Sequence, residues 1–187
     1  MNIKRILIAA AKMLAVLLPA VVLTSCLGDD SDPYKDWRQL NNKFVQEKEA
    51  SIVDGKLEYN RISPSWQPGS YVLMKWHNDR ALTEKNLVPL YNSTVDMKYE
   101  LELLDGIQIE NSYSTATGDS TFQTTAAEVV VGWQIALMQM HVGDSVTLIV
   151  PWQYGYGSSP AGDIPAFSTL IFHMKLKGIP YYQREEE

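Results

Sequence analysis

The stretch Val129 to Leu176, reading VVVGWQIALMQMHVGDSVTLIVPWQYGYGSSPAGDIPAFSTLIFHMKL, changes its apolar period from helix to strand to none and back to strand. Trp133, Leu137 and Met140 recur at i, i+4 and i+7, which places them on one face of a helix of about two turns. So short a helix is marginal in water and requires tertiary support, here a sheet wrapped over its apolar face. His141-Val142-Gly143-Asp144 ends it, with Gly143 suited to a left-handed position. Ser145 to Pro151 then alternates as a strand, with Val146, Leu148 and Val150 on one face and Thr147 and Ile149 on the other. Thr169 to Leu176 alternates more cleanly, with Leu170, Phe172, Met174 and Leu176 inward and Thr169, Ile171, His173 and Lys175 outward. Trp152 to Ser168 between them has neither period, and a loop longer than about 12–15 residues in a compact unit is a functional or a disordered one. Its aromatics, Trp152, Tyr154, Tyr156 and Phe167, argue against disorder.

Upstream, Val95 to Leu103 alternates without a fault, and Asp105-Gly106 turns it back into Ile107 to Asn111. Tyr71 to Trp76 reads as an earlier strand, and residues 113–128 as a loop. Before these lies a segment with a different character. Asp32-Pro33 is an N-cap and N1 pair, and Trp37, Leu40 and Phe44 give the apolar seam of a helix over about Pro33 to Ala50. Asp54-Gly55 either stops this helix or turns a small hairpin between Ser51–Val53 and Lys56–Tyr59.

Met1 to Ser25 has a basic start, an apolar run from Ile6 to Val22 interrupted by Lys12, and small residues at its end, which reads as a signal peptide. Leu23-Thr24-Ser25-Cys26 resembles a bacterial lipobox, making Cys26 the lipidated first residue of the mature chain. Cys26 is the only cysteine, so no internal disulfide can form and a packed core must hold the fold. The leader carries Lys4, Arg5 and Lys12 and no acid, so its removal lowers the formal charge from −6 to −9. Such a chain is a poor nucleic-acid binder, and acyl chains alone would supply its membrane contact. Asp29, Asp30 and Asp32 resemble the surface-export signal of some diderm bacteria, and read equally well as a solvated tether. The expected location is the outer membrane, lipid-anchored and facing the periplasm or the cell surface.

Five sequence features resemble, in order and spacing, the FKBP-type peptidyl-prolyl cis/trans isomerases, in a bacterial lipoprotein form. They are Val129-Val130-Val131-Gly132-Trp133, then Ala136-Leu137 with Met140 and Val142-Gly143-Asp144, then Tyr154-Gly155-Tyr156-Gly157, then Ile164-Pro165, then Ser168 to Phe172. The resemblance implies an α+β fold, an FKBP-like twisted antiparallel sheet wrapped around a short α-helix, with an N-terminal partly helical extension. The division it implies is 1–25 signal peptide, 26–68 tether and extension, 69–182 isomerase domain and 183–187 acidic tail. The extension's helix is a candidate for dimerisation, but its seam of about two turns favours packing on its own domain.

Periodicity alone would make Tyr99, Trp133 and Phe172 plain core. The resemblance instead implies a catalytic pocket of Tyr99, Glu110, Val130, Trp133, Tyr156 and Phe172, with Ile109, Phe122 and Ile164 binding substrate. It implies that the Val130 backbone N–H and the Tyr156 hydroxyl hold substrate carbonyls, while Glu110 polarises the site. The sequence departs from the family where a Phe-Asp pair becomes Ile109-Glu110 and a glycine becomes Leu101. The implied partners are proline-containing polypeptide clients and macrolides such as rapamycin, with no cofactor. His77, His141 and His173 have no paired ligand spacing, so no metal site is expected, and His173 reads as a surface residue. Two other readings remain: a proline-segment binding or chaperone module with little turnover, and a lipoprotein whose extension binds a partner while the domain is scaffold.

Overall fold

The computed structural model describes residues 32–115 and 121–182, in a compact unit that begins at Asp32. The leader, Cys26, Asp29, Asp30 and the acidic tail lie outside the described residues. The elements in order are α1 (Lys35–Glu49), β1 (Ile52–Val53), β2 (Lys56–Leu57), β3 (Asn60–Ile62), β4 (Val72–Trp76), β5 (Thr94–Glu102), β6 (Gln108–Asn111), α2 (Ser112–Thr115), β7 (Phe122–Thr125), α3 (Val131–Leu137), β8 (Ser145–Val150) and β9 (Leu170–Tyr181).

A seven-stranded antiparallel sheet runs β3-β4-β8-β9-β5-β6, and β7 also pairs with β5. The two partners divide one edge of β5. β7 takes Thr94–Met97 and β6 takes Glu100–Glu102. At the break, the Tyr99 N–H donates to Ser112 Oγ at 3.2 Å, so the ladder's missing acceptor is replaced by a side chain. Tyr99 thus sits where the sheet forks.

The alternation of β5 is strict in its burial, and β9 keeps Leu170, Phe172, Met174 and Leu176 inside. These inward rows close over α3, whose Trp133, Ala136 and Leu137 belong to the same core cluster as Met140. Gly132 lies in the first turn of α3 facing Val150 of β8, and a Cβ there would clash with both Val150 methyl groups. The glycine therefore serves a close helix–sheet approach. Gly143 adopts φ +100, as its turn requires.

Three local expectations need correction. Residues 113–128 are not all loop, because Phe122–Thr125 forms β7; its polar sequence FQTT hides a strand that only the β5 edge stabilises. The helix α1 begins at Lys35 rather than Pro33, with Asp32 Oδ1 accepting the Tyr34 N–H at 3.0 Å. Its buried positions are Asn41 and Val45 beside half-buried Trp37 and Phe44, while Leu40 is 48% exposed.

The outer face of the sheet is therefore covered too. Val45 and Tyr59 pack on Leu73 of β4 and Ile149 of β8, which buries Ile149 on the face opposite Val146, Leu148 and Val150 of the main core. Asn41 Oδ1 accepts the Thr169 N–H at 2.6 Å, Trp37 Nε1 donates to Ser168 Oγ at 3.0 Å, and Trp152 Nε1 donates to Asn42 Oδ1 at 2.9 Å. These bonds bind α1 to both ends of the long loop. The sheet itself already includes Asn60–Ile62, ahead of Gly69.

Candidate functional site

Trp133 enters the site from the first turn of α3, and three rings stand edge-on to it. Tyr99 lies 5.2 Å away at 88°, Phe172 5.2 Å at 80°, and Phe122 6.4 Å at 83°. Edge-to-face contact is the favoured arrangement of aromatic quadrupoles. The rings line a cavity of about 220 Å³ together with Glu110, Glu128, Val129, Val130 and Tyr156. A space below the usual range for drug-sized ligands suits a single small apolar ring.

The polar groups are few. Tyr99 Oη donates to Glu110 Oε1 at 3.2 Å. Burial first, then the Glu110 carboxylate, push the Tyr99 hydroxyl well above the ordinary phenol range; the same two causes raise Tyr156. Both phenols thus remain protonated donors through neutral pH. Tyr156 is 43% exposed and is presented by the Tyr-Gly-Tyr-Gly turn. In that turn Gly155 lies against Leu170, Gly157 has φ +72, and the Tyr154 hydroxyl is used to bind Gly69 O at 2.7 Å. The Val130 carbonyl accepts from the Trp133 and Gln134 amides at 2.9 and 3.2 Å, fixing the peptide that precedes α3 against the cavity.

Seven of the expected residues, Tyr99, Glu110, Phe122, Val130, Trp133, Tyr156 and Phe172, line this one cavity. Two do not. Ile164 is buried in the main core, and Ile109 lines a separate groove with Trp37. Successive side chains of a strand face opposite ways, so Glu110 and Ile109 of β6 address different spaces. Glu128 and Val129 are additional wall residues. Val129 belongs to the apolar run before Gly132, whereas an acid at 128 gave no signal. His173 is exposed, as expected of a surface residue, and it also has partners: Thr147 Oγ1 lies 2.8 Å from His77 Nε2 and 3.1 Å from His173 Nδ1, and His173 Nε2 lies 2.8 Å from Glu102.

A family model described as FKBP-type peptidyl-prolyl cis-trans isomerase matches residues 88–177. FK506-binding protein 2 of Aspergillus oryzae is 37% identical over 94 residues, spanning 50% of this chain and 69% of that protein. The chain belongs to the FKBP-type peptidyl-prolyl cis/trans isomerases. The family is one of isomerases that act on proline-containing substrates and bind FK506-like macrolides. FkpA of Buchnera aphidicola, also an FKBP-type isomerase by name, is 27% identical over 143 residues, covering 73% of this chain and 53% of that one. Among solved structures, a peptidyl-prolyl isomerase of Pseudomonas syringae gives a TM-score of 0.62 at 22% identity, covering 79% of this isomerase and 96% of that chain. FkpA of Escherichia coli gives 0.58 at 22%, covering 83% and 62%. These two likenesses concern the fold.

Proposed function

We propose that this isomerase turns X-Pro bonds of cell-envelope polypeptides in the Trp133 cavity, held to the outer membrane through acylated Cys26 and facing the periplasm or the cell surface. The observation that supports it most is the union of an aromatic box on Trp133 with protonated Tyr156 and the Val130 peptide in one small cavity.

The chemistry follows from the amide. Rotation about X-Pro faces a barrier of about 18–20 kcal/mol, because the planar form has partial double-bond character. Uncatalysed exchange takes on the order of tens to hundreds of seconds. No bond is made or broken, so neither nucleophile nor metal is required. The planar imide is the more dipolar form, and transfer from water into the aromatic box disfavours it relative to the twisted one. The walls hold the proline ring while the preceding carbonyl rotates. The Tyr156 hydroxyl and the Val130 N–H donate to substrate carbonyls, which fixes the peptide on both sides of the turning bond. Glu110 keeps an oxygen on the Tyr99 hydroxyl, so the longer side chain at this position retains a carboxylate in the site.

The test is NMR exchange spectroscopy of a short X-Pro peptide with residues 27–187. Acceleration by wild type, about tenfold loss in Tyr156→Phe, one hydrogen bond's worth of transition-state stabilisation, and competition by rapamycin support the reading. A folded protein that binds the peptide without accelerating exchange overturns it in favour of a proline-binding module. Anchoring is tested separately: Cys26→Ser should move the protein from the membrane to the soluble fraction.

A further inference from the structure

The second space at the site belongs to the extension. Tyr34 and Trp37 of the N-terminal segment, Leu103, Ile107 and Ile109 of the β5–β6 hairpin, and Pro165 of the long loop line a groove of about 530 Å³, whose remaining residues include Asp105 and Asp163. The floor is apolar and both carboxylates are exposed at its margin. Ile107 is 57% exposed and stands at the mouth of the groove, continuous with its apolar floor. The groove shares a wall with the catalytic cavity, because Ile109 faces the one and Glu110 the other. β6 ends the sheet's path, so no further strand among the described residues separates the two openings.

We propose that this groove is an accessory subsite that binds the client chain beside its proline, selecting an apolar side chain followed or preceded by lysine or arginine. The inference rests on the catalytic reading of the Trp133 cavity. An extended chain advances about 3.3 Å per residue, so rounding the edge of a strand about 4.8 Å wide takes at least two residues, and the proposal places the selected residues about two to four positions from the proline. The apolar side chain covers Trp37 and Ile107, and the basic one meets Asp105 and Asp163. The acidic margin, rather than area alone, defines the occupant. Residues of the extension thereby take part in choosing substrate, which gives α1 a role beyond covering the sheet.

The test compares two ten-residue peptides with one central Ala-Pro, one carrying Leu-Lys three residues from the proline and the other Ser-Glu there, against an Ala-Ala-Pro-Phe tetrapeptide. The protein is residues 27–187, wild type and the double variant Asp105→Asn, Asp163→Lys; asparagine keeps the side-chain oxygen that accepts the Ile107 N–H. Exposed charge pairs contribute about 0.2–1 kcal/mol each. The variant should therefore raise KM for the Leu-Lys peptide about three- to tenfold at low salt, with kcat unchanged. It should lower KM for the Ser-Glu peptide and leave the tetrapeptide untouched. Equal KM values for all peptides, or loss of tetrapeptide turnover in the variant, overturn the subsite. A dimer by sedimentation whose interface buries Ile107 also overturns it. If wild type turns over no peptide, the catalytic reading fails by itself; fluorescence-anisotropy binding of the Leu-Lys peptide, weakened by the double variant, then still decides the groove.

Discussion

Gly132 has no side chain because Val150 leaves no room for one. A Cβ would meet Val150 Cγ1 and Cγ2 closer than packed atoms approach, and the clash would push α3, and Trp133 with it, off β8. Overpacking of this kind costs about 1–3 kcal/mol. Gly132→Ala should lose that stability in urea unfolding, and adding Val150→Ala should recover part of it. Double substitution no better than the sum of the singles would exclude Val150 as the obstacle. The two pocket tyrosines make a second prediction. Their hydroxyls are raised by burial first and by Glu110 second, so Glu110→Gln should lower both ionisations while leaving them above the ordinary phenol value. Ultraviolet difference titration reads this directly. A tyrosine that falls to the value of an exposed phenol in Glu110→Gln would show that the charge, not burial, sets it.

At the level of elements, α1 is held by a residue that hydropathy does not notice. Asn41 is fully buried, and its side chain accepts the Thr169 N–H while donating to Trp37 O at 2.8 Å. Asn41→Leu keeps approximate size but strands a buried backbone donor, at about 1–3 kcal/mol. We expect that loss in chemical denaturation, with faster amide exchange in α1 and at Thr169 than in β5. Uniform acceleration throughout the sheet would contradict a local role. Asn41 also shows where the sequence was legible. Strands with a repeating apolar face could be placed: β5 and β8 to within a residue, and β9 at its start, although it continues five residues beyond Leu176 to Tyr181. The positive-φ turn at Asp54-Gly55 was legible from its chemistry. Elements specified by hydrogen bonds to distant partners were not: hydropathy points to a Leu40 face of α1 where the structure buries Asn41, and to a loop where polar β7 pairs with β5. Within the pocket, residues carried by motif order were found, whereas Glu128 and the separation of Ile109 from Glu110 depend on strand facing, which a motif does not encode.

Across the whole molecule, pH reports on groups that tie segments far apart in sequence. Asp144 is fully buried at the turn between α3 and β8. Burial opposes its ionised form. Bonds from Thr83 Oγ1 at 2.5 Å, the His141 N–H at 2.9 Å and Asn78 Nδ2 at 3.0 Å, with the charge of Arg80, outweigh burial and hold the carboxyl below its ordinary range. The native state thus binds fewer protons than the unfolded chain near the ordinary carboxylate pKa. The stability this contributes is present above that value and is lost as pH falls through the native one. Tyr99 and Tyr156 work in the opposite sense at the alkaline end. Their native values are raised, so their contribution is complete below about pH 10 and disappears above it. The contributions of these three groups are therefore flat through neutrality and fall on both sides, while His77, whose charged form is disfavoured by burial and by Lys75, adds a fall as pH drops below the ordinary imidazole range. Asp144→Asn faces the His141 N–H and the Thr83 hydroxyl with an amide, and should cost about 3 kcal/mol at pH 7. Because wild-type Asp144 loses its advantage on protonation, the gap between the two proteins should narrow at pH 3. Urea unfolding at both values measures it. A gap of the same size at both would mean that the shape of the Asp144 side chain, not its charge, joins the Asn78–Thr83 connection to β8.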